Sequence, residues 1–221
     1  DPNRRENIKD KNYINKITKG VYELGSVFKT FTLAAALDEN LIKVDTKFLD
    51  LEKSINCGKN TIREYDKKIP KDLTAEEILI RSGNIGSVRI GQKIGVEKFK
   101  QFLTKINLIN KIEFDIEEIG IPIPFKWGKC KLATTSFGHG ITTTPLQLAK
   151  GYAIVTNGGY DVNPTIIKEK SEKLIKYKKR IIKENVSKKI NPILRKIVTS
   201  KEGTANLADV KGYESGGKTG T

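Results

Sequence analysis

The sequence predicts a mixed domain of helices and strands in which the helices dominate, and three observations predict it. Apolar residues recur at helical spacing from Phe28 to Leu37, in Leu73 to Ile80, Ile85 to Ile94, Val96 to Ile106, Leu146 to Thr156 and Ile190 to Val198. Thr165 to Ile167 and Ile181 to Ile182 alternate in the manner of surface strands, and the glycine-rich tail Lys211 to Thr221 reads as strand-like. A chain of 221 residues has room for a sizeable core.

The elements follow in order. Asp1 to Gly20 is polar and basic without a sustained period, and reads as a surface approach segment. Ser26 then opens the stretch Phe28, Phe31, Leu33, Ala35, Ala36, Leu37, whose small alanines allow close packing; it is the best buried-helix candidate. Lys43 to Asp66 is mixed, with turn signals at Asn56 to Asn60. Thr74 followed by Glu76 and Glu77 marks a helix N-terminus, and Ser82-Gly83-Asn84 interrupts that helix before the amphipathic run resumes. Gly95 separates that run from the next. Pro122, Pro124 and Trp127 mark a loop, Gly138-His139-Gly140 a tight turn, and Thr144-Pro145 the start of a helix that Asn157-Gly158-Gly159 stops. Ile190 to Val198 reads as the last helix.

Composition narrows the function. With 37% hydrophobic and 30% charged residues, 19 Gly and 7 Pro, the chain is neither disordered nor collagenous. No apolar run approaches the ~18 residues of a membrane span, and Asp1-Pro2-Asn3 lacks a signal-peptide core, so any anchor or export signal is expected outside this chain. The net charge is +15, from 41 Lys+Arg against 26 Asp+Glu, and raises a nucleic-acid partner. The basic residues are mostly lysine, however, and the dense cluster Lys168 to Lys189 holds Tyr177 as its lone aromatic, so a solvated basic face is preferred over a nucleic-acid site. Cys57 and Cys130 lie far apart without a CxxC or Cys/His grouping, which indicates neither a zinc site nor a disulfide framework. The acidic run Glu113, Asp115, Glu117, Glu118 reads as a solvated face, and neither metal nor cofactor is expected. His139 is the one histidine; it reads as a turn residue, and any catalysis must use another base.

Three short groups could carry that chemistry. In Ser26-Val27-Phe28-Lys29 the hydroxyl sits at a helix N-terminus with the lysine three residues on, and desolvation would lower the lysine pKa enough for it to act as a base. Ser82-Gly83-Asn84 places a hydroxyl and an amide on a helix break. Lys218-Thr219-Gly220-Thr221 places a cation and hydroxyls on one face of a strand, with glycine permitting close approach of a substrate. Each alone also reads as plain structure: a helix cap, a capping turn, an edge strand.

In this order, however, the groups form the S-x-x-K, S-x-N, K-T-G constellation of serine β-lactamases and penicillin-binding proteins. Tyr22-Glu23-Leu24-Gly25-Ser26-Val27-Phe28-Lys29-Thr30-Phe31 resembles the nucleophile segment of class B penicillin-binding proteins, and Ser82-Gly83-Asn84-Ile85-Gly86 their second motif. Gly138 to Ile141, Thr144 to Ala149 and Asn157 to Gly159 are similar to a stretch that those proteins carry before the third motif. The resemblance runs through the whole chain, with a loose fit at Lys43 to Lys71 and Lys168 to Lys189, and is closest to the cell-division transpeptidase. Gly83 stands where serine is usual, and Leu24 where many relatives have proline.

The resemblance implies an α+β (α/β sandwich) transpeptidase fold and a peptidoglycan D,D-transpeptidase that acylates a serine with D-Ala-D-Ala stem peptides and is the target of β-lactams. It makes Ser26 the nucleophile, Lys29 its base, Ser82 a proton relay, Asn84 a partner for the substrate backbone and Lys218 a source of positive potential. Thr219, Gly220 and Thr221 would hold the substrate, and the backbone N–H groups of Ser26 and Thr221 would form the oxyanion hole. It implies partners among glycan polymerases and division proteins, and a catalytic domain outside the cytoplasmic membrane, anchored by a segment beyond this chain. It also implies that residues 1–221 are a partial domain: mostly the helical part plus the K-T-G strand, the sheet incomplete. A β-lactam sensor domain, a serine β-lactamase and a basic nucleic-acid module are the alternatives. A lactamase needs a carboxylate for the deacylating water, and Glu202 to Asn206 lies too close to Lys218 to supply it.

Overall fold

The computed structural model describes residues 13–168 and 179–220. Among them run the helices α1 (Lys29–Asp38), α2 (Ala75–Ile80), α3 (Asn84–Ile94), α4 (Val96–Lys105), α5 (Lys129–Thr135), α6 (Pro145–Thr156) and α7 (Glu184–Thr199), with the short strands β1 (Lys47–Phe48), β2 (Ser54–Cys57), β3 (Asn60–Arg63) and β4 (Leu73–Thr74).

Helix α1 is buried along its whole length, as a helix apolar on nearly every side must be. It packs against α2, α3, α4 and α7, so the core forms around it. Phe28, just before it, meets Phe31 edge to face at 5.6 Å, and Phe31 meets Tyr152 of α6 at 5.1 Å. Buried Asp38 closes the far end of α1, accepting from Lys105 Nζ at 3.2 Å and from the backbone N–H of Lys183, ahead of α7, at 2.8 Å.

Two starts read from the sequence are realised in detail. Thr74 caps α2 in a reciprocal capping box with Glu77, and Thr144 caps α6 with Gln147, Pro145 taking the first turn, where a missing N–H costs nothing. Gln147 Nε2 also donates to Asn107 O and Asn110 O, fastening α6 to the loop after α4.

The strands form two antiparallel pairs, β1 with β4 and the hairpin β2 with β3, the latter in register Ser54↔Arg63 to Cys57↔Asn60. Gly58, at φ +63°, turns the hairpin. The strands expected at 165–167 and 181–182 do not form. Thr165 and Ile166 instead fold onto the Asp115 carboxylate at 2.6 and 2.7 Å, and pairing near the second segment is the single bridge Tyr160↔Arg180. The rest of the expected Lys-rich strand region, 169–178, lies outside the described residues, as does the approach segment at 1–12.

Four further differences separate the structure from the expectations. The segment from Lys211 to Gly220 makes no strand ladder among the described residues; it leans on α7 through Gly217 N to Leu194 O at 3.1 Å and Arg195 Nη1 to Ser215 O at 2.8 Å, and an extended segment becomes a strand only beside another. The last helix starts at Glu184, six residues ahead of Ile190, because buried Val186 extends its apolar stripe and buried Ser187 donates to Val155 O and accepts from Gly158 N. Helix α5 was not legible, being short and ending Thr134-Thr135; burial of Leu132, Ala133 and Thr135 outweighs that weak propensity. Finally, Cys57 and Cys130 are joined by a disulfide across a separation of 73 residues, which ties the β2–β3 hairpin to α5 and corrects the expectation drawn from their distance in sequence.

Candidate active site

Ser26 lies in a turn of 3-10 helix, Gly25–Phe28, that runs directly into α1, so Lys29 is the first residue of that helix. The turn is held from three sides. The Tyr152 hydroxyl donates to Val27 O at 2.9 Å and, its one hydrogen used, accepts from Thr30 Oγ1 at 2.9 Å. Burial pushes the Tyr152 pKa up to about 12, so it stays a donor. Tyr22 pairs with Thr143 through both backbone bonds at 3.0 Å. Gly138, at φ +86°, packs so closely that a Cβ there would stand 1.9 Å from Gly25 O; only glycine serves at that position.

Lys29 is 1% exposed. Its Nζ donates to Ser82 O at 2.5 Å, Ser82 Oγ at 3.1 Å and Asn84 Oδ1 at 2.7 Å, which occupies all the hydrogens of an ammonium. The second motif is thus brought onto the first. Burial, and then the Lys218 charge, lower the Lys29 pKa to about 7, against a partial restoring pull from Glu64. Among the described residues no hydrogen bond joins Lys29 to the Ser26 hydroxyl, contrary to the direct reach that the S-x-x-K spacing suggests. A charged amine turns to the buried acceptors of Ser82 and Asn84; once neutral, it has a lone pair to offer.

The break carrying Ser82 is sharply folded. Ser82 is 4% exposed and sits at φ +56°, a conformation uncommon for serine. Asn84 begins α3, its Nδ2 donating to Arg63 O at 2.8 Å. A Cβ at Gly83 would meet Glu64 Oε1 at 3.5 Å, an ordinary contact, so the departure from serine there is sterically neutral.

The third motif is brought alongside. A Cβ at Gly220 would lie 3.2 Å from Leu24 O and 3.3 Å from Val27, against the turn that carries Ser26. Lys218 Nζ donates to Thr219 O at 3.0 Å and Thr219 Oγ1 at 3.1 Å, and Thr219 Oγ1 is 2.8 Å from Thr204 Oγ1. Burial lowers the Lys218 pKa to about 8. Thr221, expected to bind substrate and complete the oxyanion hole, lies outside the described residues.

A cavity of about 280 Å³ opens at Ser26, lined also by Glu23, Gly25, Tyr65, Asn84, Phe137, Gly138 and His139. His139 stays in its turn but pairs there with Glu23 at 3.3 Å, its ring stacked on Phe137 at 6.1 Å. Sequence reasoning assigned no role to Glu23, Glu64, Tyr65 or Tyr152. Glu23 stands in the nucleophile segment, where proximity was a usable signal; the others are brought in from a distance.

Residues 1–221 match the family described as penicillin binding protein transpeptidase domain. The chain is 31% identical, over its whole length, to the probable peptidoglycan D,D-transpeptidase FtsI of Caulobacter vibrioides, covering 37% of that protein. It is 34% identical over 90% of its length to stage V sporulation protein D of Bacillus subtilis, covering 32% of it. The chain therefore spans about a third of the length of these curated relatives. Its fold matches the transpeptidase domain of Burkholderia pseudomallei penicillin-binding protein 3 with a TM-score of 0.84 and 25% identity, covering 93% of this chain and 62% of that one. A peptidoglycan glycosyltransferase from Burkholderia ambifaria matches at 0.86 and 25% identity, over 95% of this chain and 66% of that one. The fold is the α+β fold of these domains, and the chain belongs to the penicillin-binding protein transpeptidase family. No helix among the described residues is long and apolar enough to cross a membrane.

Proposed function

We propose that this chain carries the acyl-transfer centre of a peptidoglycan D,D-transpeptidase of the class B, cell-division kind. The observation that carries the reading is Lys29, buried and bonded to both Ser82 and Asn84, with a pKa of about 7. A lysine so placed is substantially neutral at physiological pH and can take a proton without histidine.

In the first half-reaction Ser26 Oγ attacks the carbonyl carbon between the two D-alanines and yields its proton to neutral Lys29. The Ser26 Oγ–C bond forms, the C–N bond breaks, and the terminal D-alanine leaves as the amine, taking a proton relayed from Lys29 through Ser82, whose Oγ lies 3.1 Å from Nζ. In the second half the amine of a neighbouring stem attacks the acyl-serine, its proton returns by the same route, and Ser26 is regenerated. Asn84 aligns the substrate backbone; Lys218 and Thr219, with Thr221, receive the terminal carboxylate. The backbone N–H groups of Ser26 and Thr221 serve the oxyanion, each such donor being worth about 3 kcal/mol in acyl transfer. Stem peptides and β-lactams are the substrate and inhibitor classes, glycan polymerase and division proteins the partners, and the outer face of the cytoplasmic membrane the location.

A lactamase reading is less well supported. Glu202 faces Arg81 at 3.9 Å, and Asn206 Nδ2 is spent on Val198 O and Ser200 O, so that pair is structural. The test is the intact mass of the full protein after benzylpenicillin, beside a Ser26→Ala control. A lasting adduct of one penicillin, absent from the control, is expected; no adduct on the folded protein would sink the proposal, and rapid loss of the adduct would favour the lactamase.

A further inference from the structure

Residues 63 to 65, which lead out of β3, run beside the break between α2 and α3 and fasten it along its length. Arg63 O accepts from Asn84 Nδ2 at 2.8 Å, and Tyr65 OH donates to Arg81 O at 2.9 Å. Between them, the half-buried Glu64 carboxylate accepts from the backbone N–H of Asn84 at 2.6 Å through Oε2 and from that of Ile85 at 2.8 Å through Oε1. Helix α3 has glycine at its N-cap and no cap from its own side chains. Glu64 supplies the cap from 20 residues upstream, with the charge that a helix N-terminus favours.

That cap belongs to the site. Asn84 is held by its N–H on Glu64 and by its Nδ2 on Arg63, which leaves its Oδ1 aimed at Lys29. We propose that Glu64 is a positioning residue of the acyl-transfer centre, which holds the Ser82–Asn84 break on Lys29 and through its charge favours the ammonium of that lysine over the amine. The inference rests on the reading of Ser26 and Lys29 given above.

The charges around Lys29 leave this role to Glu64. Among the charged groups on elements packed against α1, Lys105 of α4 pairs with the Asp38 carboxylate and Lys183, ahead of α7, donates from its Nζ to Asp38 O, both at the other end of the helix. Glu76 of α2 pairs with Lys196 of α7, Glu77 caps α2, and Arg81 faces Glu202. The charges acting on Lys29 are Lys218, which favours the neutral amine, and Glu64, which favours the ammonium.

The experiment is the pH profile of benzylpenicillin acylation, with direct NMR titration of Lys29, in the full protein and in Glu64→Gln and Glu64→Asp. Glu64→Gln keeps the shape and removes the charge, so the rising limb and the Lys29 titration should both move down by about half a pH unit, and the plateau should fall as the cap weakens. Glu64→Asp keeps the charge and shortens the reach, so its limb should stay in place while its plateau falls. A purely structural cap would lower the plateau of both variants without moving either limb, and that outcome overturns the proposal, as does an upward shift or an unchanged plateau in Glu64→Gln. Should Glu64→Gln fail to fold, a displaced limb in Glu64→Asp still refutes it. Absence of any adduct on the wild type would count against the transpeptidase reading alone, because the NMR titration still tests the hold of Glu64 on Lys29.

Discussion

Lys29 Nζ lies 2.7 Å from Asn84 Oδ1, across 55 positions of sequence, and with its two bonds to Ser82 that contact joins the first two motifs. It also keeps a lysine in a place where its charge is poorly solvated.

The pH dependence follows from this placement. In the proposed mechanism Lys29 acts as the neutral amine, so acylation should rise through pH about 7, and Lys218 draws the substrate carboxylate as a cation, so acylation should fall above about 8. The bell is narrow, and its limbs belong to the coupled pair. Both lysines have folded pKa values below the usual 10.5, so the unfolded chain binds more protons between those values and 10.5, and folding stability should gain from rising pH in that window. Acylation rates from pH 5.5 to 9.5, and urea unfolding of the wild type against Lys29→Met, test the two statements; a flat rate profile contradicts the first.

Tyr152→Phe removes the donor to Val27 O and the acceptor for Thr30 Oγ1 while leaving the ring on Phe31. The expected loss is about 1–2 kcal/mol of stability, with slower acylation because the turn that carries Ser26 is less firmly held. Chemical denaturation and penicillin labelling read the two effects.

Gly138→Ala should be far more harmful than Gly128→Ala. At Gly138 the added carbon meets Gly25 O at 1.9 Å in a backbone of φ +86°, whereas at Gly128 nothing lies within 4 Å. A destabilisation of at least about 2 kcal/mol is expected at Gly138 and little at Gly128, whose extended backbone any residue adopts. Melting temperatures of the two variants decide it.

Reduction of Cys57–Cys130 releases a loop with a sequence separation of 73, for which chain entropy alone predicts a loss of roughly 4 kcal/mol as an upper figure. Denaturation midpoints with and without reductant, and in the double serine variant, should fall together. Equal midpoints would mean the disulfide is not formed in the protein.

Much of this was readable from local pattern. Thr74 with Glu76 and Glu77, and proline at the first helical position in Thr144-Pro145, announce helices because these signals lie within one turn. The alanines of α1 announce a helix that can be packed closely, and it proves to be the centre of the core. Ser26, Lys29, Ser82, Asn84 and Lys218 stood out as candidates because each sits in a short motif whose order along the chain is itself a signal, and the fold brings the three motifs together. Glu64 did not stand out, being one carboxylate in the polar stretch Arg63 to Lys68, and Tyr152 read simply as part of α6. The cysteine pair was missed for the same reason: distance in sequence says nothing of distance in space.

The sequence by itself determined where most helices begin and stop, and the order of the three short motifs that hold Ser26, Lys29, Ser82, Asn84 and Lys218. Tertiary structure decided that Lys29 would be bonded to Ser82 and Asn84 and its pKa brought to about 7, that Glu64 would cap α3, and that Gly138 would press on the turn that carries Ser26. The division is physical. Capping and helical period act over one or two turns, whereas desolvation and the fields of distant charges exist only once the chain has closed around them.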